Sequence, residues 1–352
     1  MKPVIAFFNN KGGVGKTSLV YHIAWMLADR GLRVVAVDLD PQGNLSAAFL
    51  EEETLEALWP ENADPSTIYG AIKPLKTGVG DVREPHLEEV TPKSKMTPSL
   101  FGDIKEPHRE EITPSLNLIP GDMGLSAFED DLSQVWPKCL DRDERAFRVI
   151  SAFWRAMQQG ADKAHADVIL IDLGPNLGAI NRAALIASDY VVIPLAPDLF
   201  SLQGLQNLGP TLRDWRAGWK ERLNKNPVQD LELPSGNMQP IGYIVMQHSV
   251  RRDRPVKSYE KWIARIPKVY RESVLNEKVK APPSVQDDKY CFALLKHYRS
   301  LMPMAQEARK PMFHLKPADG AIGAHASAVK EAYNDFLRLT QTIGNKAGLP
   351  VP

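Results

Sequence analysis

Short apolar runs alternate with amphipathic stretches along much of this chain. Val4-Ile5-Ala6-Phe7-Phe8, Arg33-Val34-Val35-Ala36-Val37-Asp38 and Asp167-Val168-Ile169-Leu170-Ile171-Asp172 are short, apolar and rich in β-branched residues. So are the runs Tyr190 to Leu195 and Ile241 to Met246, while Leu116 to Gly121 is a short, mostly apolar run and its exit. Each is predicted as a buried strand. Between them, Ser18 to Ala28 predicts a helix that stops at Gly31, and Leu45 to Leu50, Ser66 to Ile72 and Ala146 to Met157 predict three more. Strands alternating with helices predict an α/β fold: a doubly wound, mostly parallel sheet with right-handed crossovers. Ligands in such sheets bind at the carboxyl ends of the strands, where Asp38, Asp40 and Asp172 fall.

From about Glu51 to Pro114 the periodicity breaks up, interrupted by Pro60, Pro65, Pro74, Pro85, Pro92, Pro98, Pro107 and Pro114. Residues 76–111 are expected to form an exposed insertion in a single domain spanning 1–352, because structureless loops of that length are uncommon in compact domains. The insertion holds a repeat. Gly80-Asp81-Val82-Arg83-Glu84-Pro85-His86 returns as Gly102-Asp103-Ile104-Lys105-Glu106-Pro107-His108, 22 residues on, and the likeness runs to Pro92 and Pro114. Two copies are too few for a solenoid. They suit either a duplicated strand or loop element beside the sheet, or a module that binds a partner.

Composition narrows the class. Lys and Arg number 43 and Asp and Glu 43, so no global charge steers the protein to DNA or membrane, and any such binding must come from a local patch. Two cysteines, Cys139 and Cys291, make neither a disulfide framework nor a metal cluster, and a reducing cytoplasm is the expected compartment. No apolar run approaches the length of a membrane span. The amino-terminal strand leads directly into a functional loop, so no cleavable signal is expected there.

That loop is Lys11-Gly12-Gly13-Val14-Gly15-Lys16-Thr17. Strand, glycine-rich loop and helix, in that order, are the context of a phosphate-binding loop. The glycines let backbone N–H groups approach phosphate oxygens, and the helix terminus adds partial positive charge. Gly12, Gly13, Val14, Gly15, Lys16, Thr17 and Ser18 are the expected nucleotide contacts. Lys16 would reach the β- and γ-phosphates and Thr17 would offer its hydroxyl to Mg²⁺. Asn10 stands where the usual motif has its first glycine, and a second lysine, Lys11, follows it. An extra cation there is useful if it crosses a dimer interface toward a partner's γ-phosphate, as an arginine finger does.

Asn9 to Thr17 resembles the deviant Walker A motif of the ParA/MinD ATPases, and Asp38-Leu39-Asp40-Pro41-Gln42-Gly43-Asn44 resembles the segment after the second strand of the ParA branch. The likeness runs in patches to about Leu339 and is loose after Pro210. It implies a P-loop ATPase that uses ATP and Mg²⁺, with Lys11, Lys16 and Asp40 as catalytic residues. Asp172 would hold Mg²⁺ as a Walker B aspartate with Thr17, Asp38 would support the same shell, and Asp40 would orient the attacking water. Taken singly, a strand-end aspartate also serves as a helix cap. Leu173-Gly174-Pro175-Asn176-Leu177-Gly178 has glycine where the family usually has proline, so this loop is expected to be mobile. Pro197 to Leu205 resembles a stretch near the nucleotide and dimer interface, or else is a plain helix start capped by Ser201.

Arg251 to Arg271 carries eight basic residues against two acidic ones, and Lys296, Arg299, Arg309, Lys310 and Lys316 make a second cluster. The resemblance implies DNA binding without sequence preference, with Arg251, Arg252 and Arg254 as contacts; a solvated helix face is the plain alternative. The expected function is a slow ATPase that dimerises on ATP, is stimulated by a partner protein, and positions DNA or other cargo on the nucleoid of the cytoplasm. The rival is an ATP-switched regulatory subunit that never touches DNA; a metabolic enzyme of the superfamily ranks below both. A MinD-like membrane helix is not expected, because Gly344, Gly348, Pro350 and Pro352 break the final segment. An iron–sulfur relative would need paired cysteines. With few residues ahead of the loop, an N-terminal helix-turn-helix and operator-specific repression are not expected.

Overall fold

The computed structural model describes residues 1–60, 63–76, 78, 80–91, 115–246 and 256–352. In chain order the elements are β1 (Val4–Phe7), α1 (Lys16–Asp29), β2 (Val34–Asp38), α2 (Asn44–Phe49), α3 (Glu52–Leu58), α4 (Ile68–Lys76), β3 (Glu88–Glu89) and β4 (Leu116–Ile119). There follow α5 (Glu129–Lys138), α6 (Glu144–Ile150), α7 (Ala152–Lys163), β5 (Val168–Asp172), α8 (Ala179–Ile186), β6 (Tyr190–Leu195), α9 (Leu199–Leu223) and β7 (Gln239–Met246). The chain then forms α10 (Val256–Ile263), α11 (Ile266–Val269), β8 (Cys291–Leu295), α12 (Leu301–Ala308) and α13 (Ala324–Ala347).

Among the described residues the strands form one sheet in the order β3-β4-β2-β5-β1-β6-β7-β8. All neighbours are parallel except β3, which runs antiparallel to β4. The expected doubly wound, mostly parallel P-loop fold is what the chain adopts. Alternation along each strand divides the core in two. Val4, Ala6, Val35 and Val37 face the layer built by α4 to α9, whereas Ile5, Phe7, Val34 and Ala36 face α1, α2, α12 and α13. Both faces are covered, which is why the strands read as continuous apolar runs. Helix α1 is buried almost all round, from Leu19 through Ala28.

Three sequence expectations need correction. The helix expected from Ala146 to Met157 is two helices, α6 and α7, divided at Ser151, whose hydroxyl bonds the Phe147 carbonyl at 2.7 Å. Helix α9 is capped by Asp198, which accepts the Ser201 N–H at 2.9 Å; Ser201 is not the cap. The final segment is helical to Ala347 despite Gly344, and its apolar side is packed inward through Phe336, Leu339 and Ile343. Gly344 leaves room for the tail to fold back, since a Cβ there would lie 2.3 Å from Val351 Cγ2. The first copy of the repeat lies against α7, with Asp81 pairing Arg148 and Arg155, and supplies β3. The second copy lies outside the described residues.

Candidate nucleotide site

The turn from β1 into α1 is set by Gly13 (φ 71°) and Gly15 (φ 85°), conformations that side-chain-bearing residues rarely adopt. Gly15 occupies the N-cap position of α1 without any side-chain cap, so the first amides of the helix stay free to meet an anion. Lys16 is buried and its Nζ donates to the Lys11 carbonyl at 3.2 Å. Burial lowers its pKa, and the carboxylates of Asp172 and Asp40 work against that fall.

Gly12, Gly13, Gly15, Lys16, Thr17 and Ser18 line a cavity of about 760 Å³. Val14 is buried outside that lining, so of the expected contact set it can offer its backbone alone. Asp40 and Gln42 line the same cavity beyond β2, and Pro175 lines it beyond β5. The far wall was not foreseen. It consists of Tyr21 and His22 on α1, Asn44, Ala47 and Ala48 on α2, and Met302, Ala305, Gln306, Arg309 and Lys310 in and after α12.

Three aspartates meet beneath the loop. Asp172 is fully buried at the end of β5. Neither of its oxygens completes a hydrogen bond, although the Thr17 hydroxyl lies close enough to oppose the rise in its pKa. Burial first, then the charge of Asp38, pushes that pKa up to about 8. Burial likewise pushes Asp38 up to about 6, against the hydrogen bonds it accepts. Those bonds are from the Ser46 N–H and hydroxyl, both at 2.8 Å, and from the Asp40 N–H at 3.2 Å. Asp38 is thus engaged in holding α2 and the loop before it, at the end of the strand beside Asp172. Asp40 accepts the Gln42 N–H at 3.1 Å. Two bare, buried carboxylate oxygens beside a threonine hydroxyl and a lysine fit a divalent cation. Among the described residues no cluster of three or more His, Cys, Asp or Glu side chains forms a metal cage. Mg²⁺ does not require one, since it usually keeps waters and phosphate oxygens in its shell.

Lys11 is engaged within its own chain. Its Nζ pairs with Asp198 Oδ2, and the exposed ring of Phe200 lies beside it, 6.0 Å from Nζ to the ring centre. The loop expected to be mobile after Asp172 is pinned instead. Asn181 on α8 donates to the carbonyls of Gly174 (2.9 Å) and Asn176 (2.7 Å).

The proposed basic surface fares unevenly. Arg251, Arg252 and Arg254 lie outside the described residues. Arg271 is buried in a bidentate pair with Asp288, at 2.8 and 2.6 Å. In the second cluster Lys296 pairs with Glu331, Lys310 with Asp319, and Arg309 donates to the Leu50 carbonyl. Arg271, Arg309 and Lys310 are paired in buried or half-buried surroundings, whereas the Lys296–Glu331 pair lies on the surface. Cys139 is buried and Cys291 half-buried, and burial pushes both thiols up to about 12. Among the described residues no helix is long and apolar enough to cross a membrane.

Sheet order, glycine loop, buried lysine and converging aspartates define a P-loop nucleotide-binding protein. A family model described as an AAA domain matches residues 2–225, and the chain belongs to that family as a ParA-type P-loop ATPase. The chromosome partitioning protein ParA of Caulobacter vibrioides is 28% identical over 220 residues, covering 62% of this chain and 66% of the relative. The chain thus spans just under two thirds of that relative's length. Two solved structures share the fold. One is a Cyanothece McdA(D38A)–ATP complex, with TM-score 0.59, 14% identity, and coverage of 99% of this chain and 97% of that one. The other is pNOB8 ParA bound to nonspecific DNA, with TM-score 0.57, 19% identity, and coverage of 98% and 99%.

Proposed function

We propose that this chain is a slow, Mg²⁺-dependent ATPase whose ATP-bound form dimerises and positions DNA or another cargo on the nucleoid. The observation that carries the reading is the unpartnered carboxylate of Asp172, buried beneath the phosphate loop beside Thr17 and Lys16. Backbone amides at the start of α1 and the Lys16 ammonium bind the phosphates. Thr17 and Asp172 hold Mg²⁺, which when bound neutralises charge on the phosphate oxygens. Asp40 orients the attacking water, and Asp38 keeps Asp40 and α2 in place. Lys11 reaches a partner's nucleotide once it leaves Asp198. A partner protein that stimulates hydrolysis belongs to the same reading.

Lys16→Ala is expected to abolish or badly weaken ATP binding in calorimetry, while Asp40→Ala binds ATP and fails to turn it over. Tight binding by the first variant, or wild-type turnover by the second, would refute the assignment.

DNA as the cargo surface is supported by the likeness to a ParA solved with nonspecific DNA. Reversing the charge of Arg251, Arg252 and Arg254 should remove DNA binding in a mobility shift and leave ATPase activity intact, and the wild-type shift should weaken steeply with salt. The rival reading is an ATP switch that acts on a protein partner alone. It is favoured by the internal pairing of Arg271, Lys296, Arg309 and Lys310. No DNA shift by the wild type with ATP present would select it.

A further inference from the structure

The loop from Leu173 to Gly178 joins the Mg²⁺-binding strand to α8, and its glycine stands beside Asp40. A Cβ at Gly174 would lie 3.3 Å from Asp40 Oδ1 and 3.5 Å from its Cγ. The next residue, Pro175, leans on the phosphate loop, where a Cβ at Gly12 would lie 3.7 Å from Pro175 Cγ. One short segment therefore lies beside both the residue read as orienting water and the loop read as holding phosphate. Glycine at that position gives Asp40 room but surrenders backbone stiffness.

The lost stiffness is replaced from α8. Asn181 is buried, and its single amide nitrogen faces three acceptors: Gly174 O at 2.9 Å, Asn176 O at 2.7 Å and Asn176 Oδ1 at 3.0 Å. Asn176 Oδ1 in turn accepts the Gly178 N–H at 2.9 Å. At the far end of the loop both oxygens of Glu129 accept backbone N–H groups of α8, from Ala179 and from Ile180. The loop is thereby fixed at its beginning, middle and exit by two side chains from other elements.

We infer that Asn181 is a positioning residue for ATP hydrolysis: it clamps Gly174 and Asn176 so that the loop holds Asp40 in its working orientation. This rests on the ATPase reading above. Asn181 is buried and is not among the residues that line the nucleotide cavity, and it acts through the backbone of Gly174. Its loss therefore leaves ATP binding in place and slows turnover.

The test uses the full chain with Asn181→Ala and, because a buried change can disturb folding, the exposed Asn176→Ala, which removes one of the three acceptors. In nucleotide-free protein, amide exchange across 173–178 should quicken about tenfold in the first variant and less in the second. With ATP, kcat should fall about tenfold for Asn181→Ala while the ATP dissociation constant stays within about twofold. Unchanged exchange in both variants, or equal losses in affinity and kcat, would overturn the clamp. Should Asn181→Ala fail to fold, Asn176→Ala decides by the same two readouts. A wild-type protein that hydrolyses no ATP defeats the enzymatic reading, and with it the catalytic role of the clamp; the exchange measurement still reports whether the loop is held.

Discussion

His22 lies buried on α1 with its ring stacked on Phe336, 4.9 Å between ring centres. The Met312 N–H donates to Nε2 at 3.1 Å, so the neutral ring carries its proton on Nδ1 and gives it to the Ser18 carbonyl at 2.6 Å. Burial holds the pKa down to about 4, the Ser18 carbonyl pulls it up, and nearby His314 adds to the fall. A depressed histidine binds its proton more readily in the unfolded chain. Its contribution to stability is therefore complete above pH 6.5 and lost as pH falls toward 4. The loss is on the order of 3 kcal/mol. Urea midpoints measured from pH 7 to pH 4 should fall more steeply for the wild type than for His22→Gln; parallel curves would refute the assignment. His22 also shows what a sequence hides at this scale. Gly12 to Thr17 and the three aspartates were legible because strand ends fix where such residues go. Met302, Gln306 and Arg309 reach the same cavity from far along the chain, through packing that no local pattern encodes. Asn181 did leave a signal, as a lone amide in the apolar stretch Ala179 to Ile186.

Helix α9 begins beside the phosphate loop, and its cap carries two duties. Asp198 Oδ1 accepts the Ser201 N–H, and Oδ2 receives Lys11. Asparagine caps helices about as well as aspartate but carries no charge. Asp198→Asn is thus expected to keep α9 and its melting temperature while freeing Lys11. In the proposed dimer, light scattering should then find a several-fold larger dimer fraction at limiting ATP. An unchanged fraction would mean that the Asp198 contact does not hold Lys11 back. Legibility among elements followed burial on two faces. The six expected strands are present because continuous apolar runs announce them. Strand β8, at the sheet edge, is only partly buried, and its apolar run Cys291 to Leu295 holds no β-branched residue. Strand β3 is a Glu-Glu pair with no strand propensity of its own, and it exists because β4 offers an edge. Helix α13 ran past its glycine because tertiary packing outweighs a cost of about 1 kcal/mol.

At the scale of the molecule, the carboxyl-terminal third is bound tightly to the amino-terminal core. The α1–α13 packing, the His22–Met312 bond and the 2.6 Å contact of His314 with Asp29 all join segments far apart in sequence. The sheet does the same. β1 is the first strand in the chain, yet it is central, with Ile5 opposite Leu170 on one side and Tyr190 on the other. That order has a consequence for how the protein comes into being. As the chain leaves the ribosome, the phosphate loop emerges before the strands that anchor it and has no sheet to hold it until β5 and β6 have followed. At about 5–20 residues per second, that wait is about 10–40 s. Throughout it, Val4 to Phe8 is an unpaired apolar strand, exposed to chaperones and to aggregation. The segment that defines this protein's chemistry is thus made well before the strands that let it function.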